Sequence, residues 1–237
     1  DYVNSKGLML GIWFEPEMIS PDSELYRNHP EWAMQIKGRK PTESRWQLLL
    51  DLTNPEVCDY IYDSIANVLK NTNIQYIKWD YNRVIAHAGS EHLKAEEYGE
   101  FYHRYVLGLY SVLERLNKDF PHVLFEGCAS GGGRFDMGML YYMPQIWTSD
   151  DTDAVERTAI QHGTSYIYPM SCQSAHISVC PNHQTLRTVT LEARHIIALT
   201  GSFGYELAPQ KIPEEEREYI KEFIKFYIDN YEIFQSG

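Results

Sequence analysis

The chain has 237 residues, enough to bury a full core, and its 43% hydrophobic and 23% charged residues exclude a mainly disordered protein. Its formal net charge of −12 argues against nucleic acid or an anionic membrane as a partner, because both are bound through basic surfaces. No apolar run approaches the roughly 20 residues that a membrane-spanning helix needs.

Apolar runs of strand length alternate with longer helical patterns along the chain. The predicted strands cover residues 7–15, 74–80, 123–128, 145–150, 167–171 and 202–207, of which the fifth has the weakest pattern. Each run is apolar on both faces, which is typical of strands buried in a parallel sheet. The predicted helices cover residues 54–69, 93–116, 153–160, 185–199 and 213–234. This alternation predicts an α/β fold built from βαβ units.

Polar residues gather where the predicted strands end. They are Glu15, Glu17, Asp80, Asn82, Cys128, Asp150, Asp151 and Glu206. Function at the carboxyl ends of successive strands is typical of a (β/α)8 barrel, and no GxGxxG motif supports a dinucleotide-binding sheet. Because six units are counted and a barrel needs eight, we expect one catalytic barrel domain over 1–237 that carries units three to eight. The long loop at 19–43 is expected to form part of the binding site.

The second predicted strand ends in a cluster of charged and amide side chains. Side chains alternate along a strand, so Lys78, Asp80 and Asn82 share one face. A cation beside Asp80 would keep that carboxylate ionised, as a carboxylate nucleophile requires. A structural salt bridge at a strand end fits the same pattern equally well.

A second acidic cluster follows the fourth predicted strand. Asp150, Asp151 and Asp153 lie within four residues, so we expect one of these carboxyls to hold its proton beside an ionised neighbour. That is the arrangement of retaining glycoside hydrolysis. Asp153 is also expected to cap the next helix. No histidine with ligand spacing accompanies the cluster, and we expect neither a metal nor another cofactor.

A glycine run after the third predicted strand, at 131–133, lets the backbone approach a ligand closely. It lacks the GK[ST] ending of a phosphate-binding loop and the GxSxG elbow of a hydrolase, so close approach to a sugar fits better. Trp13 on the first strand suits stacking on a sugar ring, although a buried core tryptophan fits equally well.

The cysteines form no CxxC pair, although a disulfide between Cys172 and Cys180 remains an alternative. Four such cysteines in a chain of this length predict reduced thiols and a cytoplasmic location.

Four motifs together resemble glycoside hydrolase family 36, the bacterial-type α-galactosidases or melibiases. They are GIWFEPE at 11–17, YIKWDYNR at 76–83, FEGCASGGGRFD at 125–136 and WTSDDTDA at 147–154. The resemblance implies Asp80 as the nucleophile that forms a β-galactosyl-enzyme and Asp150 as the general acid/base. Strand parity alone leaves Asp150 and Asp151 as alternatives. By the same likeness, the substrate-binding residues are Trp13, Arg45, Lys78, Asn82, Cys128, Gly131 and Asp151.

The resemblance implies a retaining α-galactosidase acting on oligosaccharides with terminal α-galactose, of the melibiose or raffinose type. Removal of N-acetylgalactosamine and transfer of galactose are alternatives within the family, and a non-catalytic carbohydrate-binding barrel is the alternative from another class. The first two βα units, with the family's acidic pair, and both flanking β domains are expected outside this chain. We expect a homo-oligomer of the full-length protein, and neither nucleic acid nor a membrane as a partner.

Overall fold

The computed structural model describes residues 2–236, which form two compact units. The first unit comprises the described residues up to Ala129 together with Tyr141–Met143. The second comprises Ser130–Leu140 and the described residues from Pro144 onward. Helices and parallel strands alternate in both, so the predicted α/β class is confirmed.

The strands of the first unit are β1 (Leu10–Phe14), β2 (Met18–Ile19), β3 (Leu48–Leu49), β4 (Ile74–Asp80) and β5 (Leu124–Cys128). Three of them are parallel, with β4 between β1 and β5, whereas β2 and β3 form an antiparallel ribbon. The helices are α1 (Tyr2–Ser5), α2 (Glu24–Asn28), α3 (Pro55–Asn71) and α4 (Phe101–Asp119), with 3₁₀ turns at Pro30–Trp32 and Ala95–Glu100. The loop predicted at 19–43 thus contains helical turns of its own.

Local sequence explains where α3 begins and which faces are buried. The Asn54 side chain accepts a hydrogen bond from the Glu56 N–H at 3.0 Å, and Pro55 occupies the first helical position, as predicted. In β4, Ile77 and Trp79 point to one face and are fully buried. The other face carries Lys78 and Asp80, so the pleat of β4 separates the core from the candidate site.

The second unit contains the parallel strands β6 (Gln145–Trp147), β7 (Gln173–Ile177) and β8 (Ser202–Tyr205), with β7 in the middle. Its helices are α6 (Ala154–Ser165), α7 (Leu191–Ala198), α8 (Glu214–Asp229) and α9 (Tyr231–Ser236), with 3₁₀ turns at Met170–Cys172 and Pro209–Lys211. Helix α5 (Met137–Tyr142) contributes residues to both units.

The fifth strand was predicted in the wrong place, at 167–171. Pro169 lacks an N–H for a ladder and precedes a 3₁₀ turn instead. The strand forms at Gln173–Ile177, where Gln173 and Ser174 are fully buried although both are polar. Buried polar residues hide a strand from a search for apolar runs.

Several helix bounds also differ from the prediction. Helix α7 begins at Leu191, because Thr190 caps it and the Thr185 side chain donates instead to Asp153 in a loop. The predicted helix at 213–234 is interrupted at Asn230, where α8 ends. The helix predicted from 93 begins as a 3₁₀ turn before α4, and the helix predicted at 153–160 continues to Ser165.

His195 lies fully buried among aromatic rings of β8 and α8. Its Nδ1 lies 2.7 Å from the Leu191 carbonyl oxygen, and its Nε2 lies 2.8 Å from the Tyr205 hydroxyl. Burial lowers the pKa of His195, so the folded state holds a neutral ring.

We therefore expect His195 to make stability fall as the solution becomes acidic. In the unfolded chain the histidine ring takes up a proton with a pKa of about 6.5. Because the folded pKa is lower, the unfolded state binds more protons below that pH, and the free energy of unfolding decreases there. His195→Phe should flatten the decline in the urea midpoint between pH 7.5 and 5.5. His103→Asn, at an exposed position, is the control; an equal change in both variants would contradict this account.

Candidate active site

Asp80 ends β4 and is nearly buried, with 6% of its surface exposed. Its Oδ2 accepts hydrogen bonds from Trp13 Nε1 at 3.1 Å and from Asn82 Nδ2 at 2.7 Å. Its Oδ1 accepts one from the Tyr81 N–H at 2.8 Å. Since all three partners are N–H donors, both oxygens act as acceptors and the carboxylate is fixed in orientation, as a nucleophile requires.

Trp13 and Asn82 connect Asp80 to the first strand. Trp13 is 50% exposed, so it is not the core tryptophan that the sequence left open as an alternative. Asn82 Nδ2 also donates to Glu15 Oε1 at 2.5 Å, and Gln47 Nε2 donates to Glu15 Oε2 at 2.9 Å. The end of β1, the end of β4 and the β3 segment therefore meet in one hydrogen-bonded group.

Lys78 forms its ion pair across the sheet. Register places Lys78 opposite Glu126 on β5, and its Nζ lies 3.4 Å from Glu126 Oε1. The Tyr76 hydroxyl donates to the other oxygen, Oε2. The sequence suggested Lys78 as the cation beside Asp80, and that stays a prediction; the structure pairs Lys78 with a carboxylate on the neighbouring strand.

Glu17, which follows the first predicted strand, is held by hydrogen bonds within the protein. It is fully buried, and its carboxylate accepts hydrogen bonds from Trp79 Nε1 and the Tyr105 hydroxyl, both at 2.8 Å. These bonds tie the loop after β1 to β4 and α4.

Arg45 lies at the exposed tip of a tight turn. Ser44 and Gln47 exchange backbone hydrogen bonds of 3.0 and 3.1 Å, and φ is 54° at Arg45 and 61° at Trp46. Positive φ at both central residues is the type I′ turn, which costs non-glycine residues roughly 1–2 kcal/mol each. Sequence reasoning missed the residue that braces it: the buried Arg83 guanidinium donates to the carbonyls of Thr42, Ser44 and Gln47.

Cys128 ends β5 directly opposite Asp80 in the parallel register. It is buried, and its carbonyl accepts the Tyr81 N–H at 2.9 Å, which fixes the backbone just after Asp80. Among the described residues all four cysteines are free thiols, including Cys172 and Cys180.

The second unit holds the other acidic cluster on the segment after β6. Asp150 is exposed, and its Oδ1 accepts a hydrogen bond from Trp147 Nε1 at 3.0 Å. The neighbouring carboxylate, Asp151, accepts the Asp153 N–H at 2.9 Å, which closes a local turn. Asp150 therefore has the more accessible carboxyl group of the adjacent pair.

Asp153 is a structural residue, as its predicted capping role implied. It is 1% exposed, and its carboxylate accepts the N–H groups of Val155 and Glu156 at the start of α6. Burial pushes the pKa of Asp153 upward, but hydrogen bonds from Thr185, these N–H groups and Arg187 outweigh it, so the pKa is lowered. Asp153 is therefore not the carboxyl that keeps its proton.

Gly131 lies against protein backbone on one side. Its φ is 84°, and a Cβ there would come within 2.8 Å of Ser149 Cα and 3.0 Å of the Asp150 nitrogen. A Cβ on Gly132 would meet the Thr148 carbonyl oxygen at 2.7 Å. The sequence predicts that a ligand approaches these glycines closely, and that stays a prediction; the structure shows that the segment carrying Asp150 approaches them closely.

Within residues 2–236, no group of three or more histidine, cysteine, aspartate or glutamate side chains is arranged to hold a metal ion. None of the helices described there is both long enough and apolar enough to cross a membrane.

Comparison with known proteins places this geometry among sugar hydrolases. The Melibiase family model matches residues 1–237. α-Galactosidase AgaA of Geobacillus stearothermophilus is 51% identical over 235 residues, which are 99% of this chain and 32% of that protein. α-Galactosidase 1 of Pediococcus pentosaceus is 50% identical over 236 residues, again 32% of its length. The chain thus spans about a third of the curated relatives it matches.

Solved structures agree with the sequence comparison. The crystal structure of AgaA superposes with a TM-score of 0.97, at 51% identity, covering 99% of this chain and 33% of that one. The α-galactosidase of Lactobacillus brevis gives 0.98 at 46% identity, over 100% of this chain and 32% of its own. Variants of AgaA have been solved with stachyose and with raffinose. The predicted (β/α)8 barrel class is confirmed by these neighbours.

Proposed function

The chain belongs to the melibiase family, glycoside hydrolase family 36, and from that membership we propose that its full-length protein is a retaining α-galactosidase. The observation that carries the proposal is Asp80, a nearly buried carboxylate that three N–H donors hold at the end of β4 beside the half-exposed Trp13. The preferred substrates are raffinose-type oligosaccharides, since AgaA variants bind raffinose and stachyose.

Those two complexes support the choice of carboxylates. The stachyose complex has one aspartate of AgaA replaced by alanine, and the raffinose complex has another replaced by asparagine. These two aspartates are separated in sequence by as many residues as Asp80 and Asp150. A catalytic aspartate has to be replaced if a substrate is to stay intact in the crystal.

The proposed reaction has two steps. In the first, the Asp80 carboxylate attacks the anomeric carbon of the α-galactoside, and the departing glycosidic oxygen takes the proton of Asp150. In the second, the Asp150 carboxylate removes a proton from water, whose oxygen displaces Asp80 from the same carbon. Two inversions give α-galactose, and both aspartates return to their starting protonation.

The proposal also covers the sugar that is bound, the residues that contact it, and the domain, location and oligomeric state of the full-length protein. Galactose is favoured over N-acetylgalactosamine because Cys128 is expected near C2 of the sugar, where it would crowd an N-acetyl group. Asn82, Lys78 and Arg45 are proposed to contact the galactose hydroxyls. A single barrel domain, a cytoplasmic location and a homo-oligomeric full-length protein complete the proposal, the location being supported by cysteine usage.

Proton NMR of raffinose hydrolysis by the full-length protein tests the proposal. We expect the signal of α-galactose first, with the β anomer rising later by mutarotation. Initial release of β-galactose would overturn the retaining mechanism. No release from raffinose or an aryl α-galactoside would favour the carbohydrate-binding alternative, and faster release of N-acetylgalactosamine would favour the alternative within the family.

A further inference from the structure

Arg157, in the first turns of α6, is a buried cation that the proposed reaction does not use. Only 2% of its surface is exposed. Burial lowers the pKa of Arg157 to about 10, while the charges of Asp151, Glu206 and Asp150 act in the opposite direction, so the side chain is charged at neutral pH. Burying a guanidinium destabilises the folded state unless its N–H groups form hydrogen bonds. The acceptors of those hydrogen bonds therefore indicate what Arg157 holds in place.

The three hydrogen bonds that the Arg157 guanidinium donates go to one short segment, 148–151. Its Nε donates to the Asp151 carbonyl at 2.8 Å, its Nη1 to the Thr148 hydroxyl at 2.8 Å, and its Nη2 to the Ser149 carbonyl at 2.7 Å. These acceptors lie on both sides of Asp150 in sequence. The planar fork of arginine can satisfy three such acceptors at once, which a lysine ammonium cannot do in the same geometry.

The same guanidinium also contacts the residue that holds the Asp150 carboxyl. It lies 4.2 Å from the ring centroid of Trp147, a cation–π distance. Trp147 in turn donates its Nε1–H to Asp150 Oδ1 at 3.0 Å. Arg157 therefore fixes both the backbone that carries Asp150 and the indole that orients its side chain.

Backbone packing against two glycines also limits the movement of the 148–151 segment. Gly131 and Gly132 lie so close that an added Cβ would come within 2.8 Å of Ser149 Cα and 2.7 Å of the Thr148 carbonyl oxygen. Real Cβ contacts this short are not tolerated without a shift of backbone, so the segment has no room to move toward the glycines.

We infer that Arg157 is a positioning residue for the general acid/base: together with Gly132 it holds the 148–151 segment so that the Asp150 carboxyl reaches the glycosidic oxygen. This inference rests on the proposed function. A misplaced acid harms proton transfer to the leaving group, whereas attack by Asp80 is unaffected. Substrates should therefore respond according to how much their leaving group needs a proton.

Two substrates and three variants of the full-length protein test the inference. Raffinose has a poor leaving group that needs the acid, and 2,4-dinitrophenyl α-galactoside has one that leaves without a proton. For Arg157→Lys and for Gly132→Ala we expect kcat for raffinose to fall by roughly 30-fold or more, which is part of the roughly 10²–10⁴-fold that a general acid contributes. The rate of the first, dinitrophenolate-releasing step should change by less than about 3-fold, since no acid assists it.

Thr148→Val is the third variant, because it removes one acceptor of Arg157 and keeps the side chain's shape. Thr158→Val, on the same helix with its hydroxyl bonded to the Val155 carbonyl, is the matched control and should leave both rates unchanged. If Arg157→Lys does not fold, Thr148→Val and Gly132→Ala decide the question.

Equal losses on both substrates would overturn the inference, because they would indicate a general structural role. Unchanged raffinose turnover in Thr148→Val and Gly132→Ala would overturn it as well. Failure of the unaltered protein to hydrolyse either substrate would instead contradict the proposed function, so the two failures are distinguishable.

Discussion

Replacing Asp80 by alanine in the full-length protein is expected to lower turnover of all α-galactosides by roughly 10⁴-fold or more. The methyl group cannot attack the anomeric carbon, so the covalent route is lost. Asn82 would keep its hydrogen bond to Glu15, and the sugar should still bind. Steady-state kinetics with an aryl α-galactoside gives the loss in kcat.

Added azide should restore part of the activity of the Asp80→Ala protein. The small anion fits the space that the carboxylate leaves and attacks the same face of the sugar, so the Asp80→Ala protein should form β-galactosyl azide. Asp63→Ala, at an exposed position of α3, is the control and should retain full activity. Turnover of Asp80→Ala near that of the unaltered protein would remove Asp80 from the role of nucleophile.

For Asp150→Ala the expected loss depends on the substrate. Raffinose turnover should fall by about 10²–10⁴-fold, because its leaving group needs the proton that Asp150 supplies. A dinitrophenyl α-galactoside should still form the galactosyl-enzyme quickly, giving a burst followed by slow hydrolysis. Azide then attacks that intermediate, and the product should be α-galactosyl azide, of opposite configuration to the Asp80→Ala product.

Asp151→Ala separates the two adjacent carboxylates. Asp151 accepts the Asp153 N–H and is less exposed than Asp150, so its loss should weaken the turn before α6 without producing the burst. If Asp151→Ala gives the burst and the α-azide product while Asp150→Ala does not, the acid/base assignment moves to Asp151.

Strands could be predicted where their buried residues are apolar, and could not where buried residues are polar. Strand β4 was predicted at its observed bounds because Ile77 and Trp79, on its core face, are apolar and fully buried. Strand β7 was misplaced because Gln173 and Ser174 are buried and polar, a combination that periodicity cannot detect.

In the candidate site, local motifs predicted Asp80 and Asp150 as the catalytic carboxylates but could not reveal which residues hold them in place. Lys78 faces Glu126 because parallel register joins residues far apart in sequence. Arg83 and Arg157 look like ordinary charged residues of a loop and a helix, and only the fold shows that each donates to backbone carbonyls of a site segment. The sequence likewise shows the glycine run but not the backbone of the 148–150 segment that packs against it.

Trapping of the covalent intermediate shows directly whether Asp80 is the nucleophile. The full-length protein would be incubated with a 5-fluoro-α-galactosyl fluoride, whose second fluorine slows breakdown of the galactosyl-enzyme, and then digested and sequenced by mass spectrometry. We expect one modified peptide, from the region of β4, with the fluorogalactosyl group on Asp80 and none in the Asp80→Ala protein. A label on another carboxylate, or time-dependent inactivation without any covalent label, would contradict this expectation.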